Sequence, residues 1–249
     1  MLAALAPLSL AQGSDQAQQL LKDGIAKVDH WTDYVRRTGD AKGTVSELAT
    51  AQSELRAAFD LFIQRHDYAD ASLSAIKLAT IERLLNQQRQ AVAIYQQAVQ
   101  LAQRANRSDY ETTALSNLAF SELELGEIDA AADHVREAVR VGATCGNPNY
   151  YFEALNTAGD IEVKRGNLVA AGDYMDRALA MSSKVDKTKL YLGYMDRADI
   201  YEQLARKCDY QKNFDVCYQS LELAREDYSK ALAITQQLGY SYLSQLFQG

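Results

Sequence analysis

The chain has 249 residues, 47% of them hydrophobic, and carries 26 lysines and arginines against 33 aspartates and glutamates, a formal net charge of −7. A surface of that sign repels a phosphate backbone, which argues against a nucleic-acid partner. No stretch approaches the ~18 consecutive apolar residues of a membrane span, and two prolines and 13 glycines leave long windows open to helices.

The chain begins "MLAALAPLSLAQGSDQ", where Ser9-Leu10-Ala11 has the small-x-small form of a signal-peptidase site, although no lysine or arginine precedes the apolar run. Residues 1–13 therefore read as a signal-peptide remnant or a disordered segment, and export and cytoplasmic residence stay equally open. Leu21, Ile25, Val28, Trp31 and Val35 then recur at helical spacing. The stretch "TVSELATAQSELRAAFDLFIQR" supplies a second helix to pair with that one, with Thr44 as N-cap and Glu47 three residues on as its capping-box partner. Between them, "GDAKGT" (39–44) lacks the Gly-Lys-Ser/Thr order and the preceding strand of a phosphate loop, and reads as an interhelical turn.

From there the sequence repeats itself. "ALSNLAFSELELGEIDAAADHVREAVRV" (114–141) aligns with "ALNTAGDIEVKRGNLVAAGDYMDRALAM" (154–181), matching Ala119 with Gly159, Gly126 with Gly166, Ala131 with Ala171 and Ala138 with Ala178, each forty residues apart. One step back, Ala79, Asn86, Ala91 and Ala98 fall in the same register, and a further step reaches Ala51 and Ala58. A fixed period of this kind is the signature of a stacked-repeat architecture. Each unit reads as two antiparallel helices, with Asn86, Gly126 or Gly166 at the turn, where glycine and asparagine tolerate the left-handed backbone that ends a helix. The alanines are contact points at which helices approach closely, with Leu118, Ile128, Leu155, Leu168 and Leu179 filling the space between. A fourth copy starts at Tyr194 and Ala198 and resumes at Ala224, Tyr228 and Ala231, fourteen residues later than the pattern predicts. That insertion holds Cys208 and Cys217, which read equally as a small disulfide loop in an exported protein or as two free thiols. After Gly239, residues 241–249 read as the start of a further, truncated helix.

The order small residue, turn glycine or asparagine seven on, alanine five on, Tyr/Val/Met four on and alanine three on resembles the tetratricopeptide repeat. The period here is forty rather than about 34 residues, and Glu82, Glu122 and Glu162 stand where that repeat places an aromatic. The resemblance implies an all-α fold, an α-solenoid of about five antiparallel helical hairpins wound as a right-handed superhelix over residues 14–240. It also implies a concave face built from the first helix of each repeat. Copy by copy, that face falls on Ile76, Thr80 and Arg83, then Ser116, Phe120 and Leu123, then Asn156, Asp160 and Lys164, then Met195, Asp199 and Glu202. Such a surface, apolar toward its N-terminal side and acidic toward its C-terminal side, would take a protein or peptide ligand with a basic segment.

Nothing in the sequence suggests chemistry. His30, His66 and His134 lack ligand spacing with one another or with a cysteine, so no metal or cofactor is expected. There is no Gly-x-Ser-x-Gly, and Cys145 has no nucleophile-like surroundings. The Glu82/Glu122/Glu162 ladder reads as structural, each carboxylate bonding a neighbouring helix or reaching solvent. The expected function is a binding scaffold or sensor without catalytic activity. By fold-level analogy alone, the alternative is the regulatory part of a larger enzyme, such as a CHAT-type caspase-like peptidase, or of a signalling protein.

Overall fold

The computed structural model describes residues 6–42 and 45–246, so Thr44 and its capping role lie outside the described residues. These contain eleven α-helices and no strand: α1 (Ala6–Thr38), α2 (Val45–Gln64), α3 (Tyr68–Leu84), α4 (Gln88–Arg104), α5 (Ser108–Glu124), α6 (Ile128–Gly142), α7 (Pro148–Arg165), α8 (Leu168–Leu179), α9 (Lys187–Lys207), α10 (Phe214–Gln237) and α11 (Ser241–Leu246). Helices adjacent in sequence pack on one another throughout, giving five hairpins, α1/α2 to α9/α10, and α11. The architecture is an all-α solenoid.

The forty-residue period has a direct structural origin. From α3 to α4, two 17-residue helices and two three-residue turns make one repeat. Each turn is organised around one residue with positive φ, and these residues fall every twenty positions: His66 (59°), Asn86 (62°), Asn106 (52°), Gly126 (80°), Gly146 (76°) and Gly166 (81°). The period of the backbone is thus twenty, half that of the side-chain pattern, because the turns between hairpins are built like the turns within them. At five of the six, two hydrogen bonds close the helix end. The amide of the residue after the left-handed one reaches back five residues, as in Gln87 N to Glu82 O (2.8 Å), Arg107 N to Ala102 O (3.0 Å) and Glu127 N to Glu122 O (2.9 Å). These are Schellman closures, which satisfy carbonyls that the helix end would otherwise orphan.

Turns this uniform bring successive helices together at one fixed separation, and the matched alanines fit it. Ala51, Ala58, Ala79, Ala91, Ala98, Ala119, Ala131, Ala138, Ala171 and Ala178 are all fully buried. At Gly159, the one matched position with no Cβ, an added Cβ would stand 2.4 Å from the Met175 methyl, so glycine there accommodates the larger residue opposite. Between the alanines, Phe62, Leu118, Leu155 and Tyr95 fill the interior, and the Tyr95 hydroxyl lies 3.0 Å from Thr80 Oγ1.

The last hairpin departs from this scheme. The fourteen-residue insertion is absorbed by both helices and the turn between them, α9 growing to 21 residues, α10 to 24 and the turn to 208–213, so that α10 begins at Phe214, well before Ala224. Cys208 and Cys217 are joined by a disulfide across the turn. An ionic network takes over part of the packing. Asp227, buried on α10, accepts two hydrogen bonds from the Arg197 guanidinium (2.6 and 2.9 Å), whose remaining nitrogen donates to Asp176 on α8 (2.7 Å).

The solenoid also meets itself. α11 packs on α1 and on α10. Tyr240, buried, sets its ring edge-on to Tyr191 at 6.0 Å, with the Arg36 and Arg37 guanidinium groups over it at 5.9 and 5.7 Å. Ser241 Oγ donates to the Arg37 carbonyl at 2.9 Å. The helix that starts after Gly239 therefore lies against the N-terminal one.

Two outcomes follow. Asp227→Ala, which leaves Arg197 only its partly exposed partner Asp176, should destabilise the chain by about 3 kcal/mol in urea denaturation, as removal of one partner of a buried pair generally does. Tyr240→Ala should free α11 from α1, speeding amide exchange over residues 31–38 by about tenfold or more while leaving the α4 amides unchanged.

Candidate functional site

The first helix of every hairpin faces inward. α1 contacts α3, α3 contacts α5, α5 contacts α7 and α7 contacts α9, so these helices converge around a common space. The result is a cavity of about 650 Å³ lined by α1, α3, α5, α7, α9 and Tyr240, with no residue from the second helices. Its volume lies within the range of ordinary ligand pockets.

Of the twelve residues that the repeat register assigns to the inner face, five line this cavity: Arg83, Ser116, Phe120, Asn156 and Asp160. Ile76 is core (3% exposed), and Thr80 spends its hydroxyl on the Ile76 carbonyl and Tyr95. Leu123 packs partly buried beside Ala119 and Ala131. Lys164 is exposed beyond the cavity, and Met195 packs near Tyr191 and Ala231. Asp199 and Glu202 both accept from the Tyr228 hydroxyl on α10.

The remaining lining came from residues that the register did not single out. α1 contributes Asp29, Thr32, Asp33 and Arg36, α7 adds Phe152 and Glu153, and α9 adds Thr188, Lys189 and Leu192. A signal for one of these was present: a step of forty back from Ile76, Ser116 and Asn156 reaches Arg36. The forward step reaches Asp196, one place from Met195, and Asn156 Nδ2 donates to Asp196 Oδ2 at 2.7 Å. Tyr240 had no such signal, because only the meeting of the two ends brings it to the cavity.

The charges in the cavity are unevenly matched. Asp29 is paired with Lys77 (3.2 Å), Asp33 with Arg37 (2.6 Å) and Glu153 with Lys189. Arg36 and Arg83 carry no ion pair among the described residues; Arg83 lies over the Phe120 ring at 5.3 Å, and its Nε is out of water with no hydrogen-bond acceptor. Asp160 and Asp196 are both pushed above the ordinary carboxylate range. For Asp160 the causes are burial and then the neighbouring Asp196, opposed by Lys164. For Asp196 the cause is burial, opposed by the Asn156 hydrogen bond and reinforced by Asp199.

The glutamate ladder is taken up internally. Glu82 accepts from Gln52 Nε2 of the preceding hairpin (2.8 Å), Glu122 meets His134 Nδ1 (2.7 Å), and Glu162 accepts from Asn167 Nδ2 (2.8 Å). Burial lifts the Glu122 carboxyl, and the His134 contact pulls it partly back. All three sit at the position whose carbonyl closes the Schellman turn, which puts each carboxylate beside a helix end rather than in the cavity. Among the described residues no group of three or more His, Cys, Asp or Glu is placed to hold a metal ion, and no helix is long and apolar enough to cross a membrane.

Solved structures of the same shape are numerous. The apo form of RapI superposes with a TM-score of 0.60 at 12% identity, over 94% of this chain and 80% of that one. PilF of Pseudomonas aeruginosa gives 0.59 at 12% identity, over 95% and 88%. A putative kinesin light chain of Podospora anserina, built of TPR-like repeats, gives 0.57 at 17% identity, over 86% and 97%. The fold is that of the tetratricopeptide repeat proteins. No family model matches the sequence, and no curated protein matches it in sequence. The likeness is therefore one of shape, to a solenoid whose helix-turn unit of twenty residues exceeds the usual half-period of about seventeen.

A carboxyl raised in the folded state keeps its proton there while the unfolded chain loses it, so its contribution to stability falls as pH climbs from the ordinary carboxylate range through the raised one. Besides Asp196 and Lys164, the charged groups lining the cavity with Asp160 are Asp29, Asp33 and Arg36 from α1, Arg83 from α3, Glu153 from α7 and Lys189 from α9. Asp160→Asn should accordingly melt at the same temperature as the native chain below pH ~4 and at a higher one above neutrality, as thermal denaturation across a pH series would read.

Proposed function

We propose that this chain is a TPR-type interaction scaffold that receives a protein or peptide ligand on its inner face and has no catalytic activity of its own. The observation that carries this reading is the convergence of five inner helices on one cavity of about 650 Å³, with Phe120 and Phe152 as apolar walls and Ser116, Asn117 and Thr157 as polar ones. Apolar walls with a few placed polar groups are the ordinary make-up of a binding site, and aromatic side chains are common anchors in interfaces. A basic segment of the ligand would lie outside the cavity, toward the C-terminal end of the face, where Asp199 and Glu202 share the Tyr228 hydroxyl. The TPR-like shape of the neighbouring structures supports a scaffold for protein interactions and is silent on the partner.

Site-specific photo-crosslinking tests this. With a benzoyl-phenylalanine in place of Phe120, an extract of the source cells should yield a crosslinked partner; with the same group in place of Val169, 78% exposed on α8, it should not. Crosslinking through position 169 and never through 120 would move the site off the inner face.

A further inference from the structure

The cavity holds two positive charges that no carboxylate among the described residues pairs with. Each of its other ionic groups has a local explanation: Asp29, Asp33 and Glu153 each sit in an ion pair, Lys189 is the partner of Glu153, and Asp160 is desolvated beside a second carboxyl. Arg36 and Arg83 alone line the cavity without a carboxylate, and what they touch instead is aromatic: the Tyr240 ring at 5.9 Å and the Tyr191 hydroxyl for Arg36, and the Phe120 ring at 5.3 Å and the Tyr95 hydroxyl for Arg83. An exposed arginine without a partner needs no explanation, since water serves it. These two are partly buried, and Arg83 has already withdrawn its Nε from water. Withdrawing a cation from water without a counter-charge is costly.

We propose that the cavity binds a small molecule carrying carboxylate or phosphate oxygens, held by the guanidinium groups of Arg36 and Arg83. The planar guanidinium fork matches both kinds of oxyanion, and its five N–H donors exceed what one tyrosine hydroxyl takes up. The two arginines come from α1 and α3, and Tyr240, which braces Arg36, is delivered only by the packing of α11 on α1. The site is therefore complete only when the two ends of the solenoid meet, and an anion bound there would favour that closed arrangement. This goes beyond the scaffold reading and needs no macromolecular partner, so it stands or falls separately.

The test uses the full chain with citrate and inorganic phosphate as separate probes, each titrated by calorimetry at low ionic strength. Either probe should bind, and the stronger of the two identifies the oxyanion as carboxylate or phosphate. Arg36→Gln and Arg83→Gln should each weaken binding by about tenfold, the usual loss for one hydrogen-bonded charged contact, while Arg89→Gln, on the outer helix α4, should leave it unchanged. Because a cavity variant can lose its fold, the native chain is also followed by NMR, where the Nε–Hε resonance of Arg83 should shift with each addition. No binding of either probe, or binding that leaves this resonance unmoved and survives both substitutions, overturns the proposal.

Discussion

One backbone device governs this molecule: a residue in the left-handed region every twenty positions, from His66 to Gly166. A helix closed by two reversed hydrogen bonds leaves in a set direction, so the same closure repeated along the chain sends every helix back at nearly the same angle and distance. Distance then dictates composition. Alanine recurs at the contact points because helices brought this close leave no room for a larger side chain, and the buried alanines from Ala51 to Ala178 are a consequence of the turns as much as a cause of the packing. The three of the six turn residues that are not glycine are two asparagines and His66, residue types that enter the left-handed region more readily than most.

Where the device lapses, other forces replace it. Past Gly166 the next positive φ is at Gly239, and the interval contains a short 3₁₀ segment, two long helices and a disulfide-closed turn. In that interval a buried arginine–aspartate pair and its Asp176 branch join α8, α9 and α10. Hydrophobic contacts are tolerant of small sliding, whereas a two-pronged pair such as Arg197–Asp227 has one good geometry. It thus fixes the register of the helices that the turns no longer set, and so the angle at which α11 reaches α1.

The inner face inherits both halves of this construction. Its walls are regular because the hairpins are, which is why Arg36, Ser116 and Asn156 stand one repeat step or two apart along it. Its charge is irregular because each repeat spends its ionisable groups differently: α1 pairs its acids with Lys77 and its own Arg37, α7 pairs Glu153 across to α9, and Asp160 gives up its charge to burial. The groups left without an ionic partner are the cations Arg36 and Arg83, on a chain whose net charge is −7. Overall charge was therefore no guide to the polarity of the cavity.

Much of the fold was legible in residue spacing. Turn residues and small contact residues act through local sterics, and local sterics leave a mark at fixed offsets whatever surrounds them; five hairpins, their turns and their contact alanines could be named from these alone. The glutamate ladder was legible as structural for the same reason. The cavity was legible only in part. The repeat register reached Arg83, Phe120, Asn156 and Asp160, yet it passed over Asp29 and Lys189, because an inner helix exposes different positions as the solenoid curves. The partner of each charge, the raised carboxyl pair and the contact of Tyr240 with α1 belong to the tertiary structure. They join residues as far apart as Arg37 and Ser241, and a contact across that distance depends on the accumulated angles of every hairpin between, which no local pattern encodes.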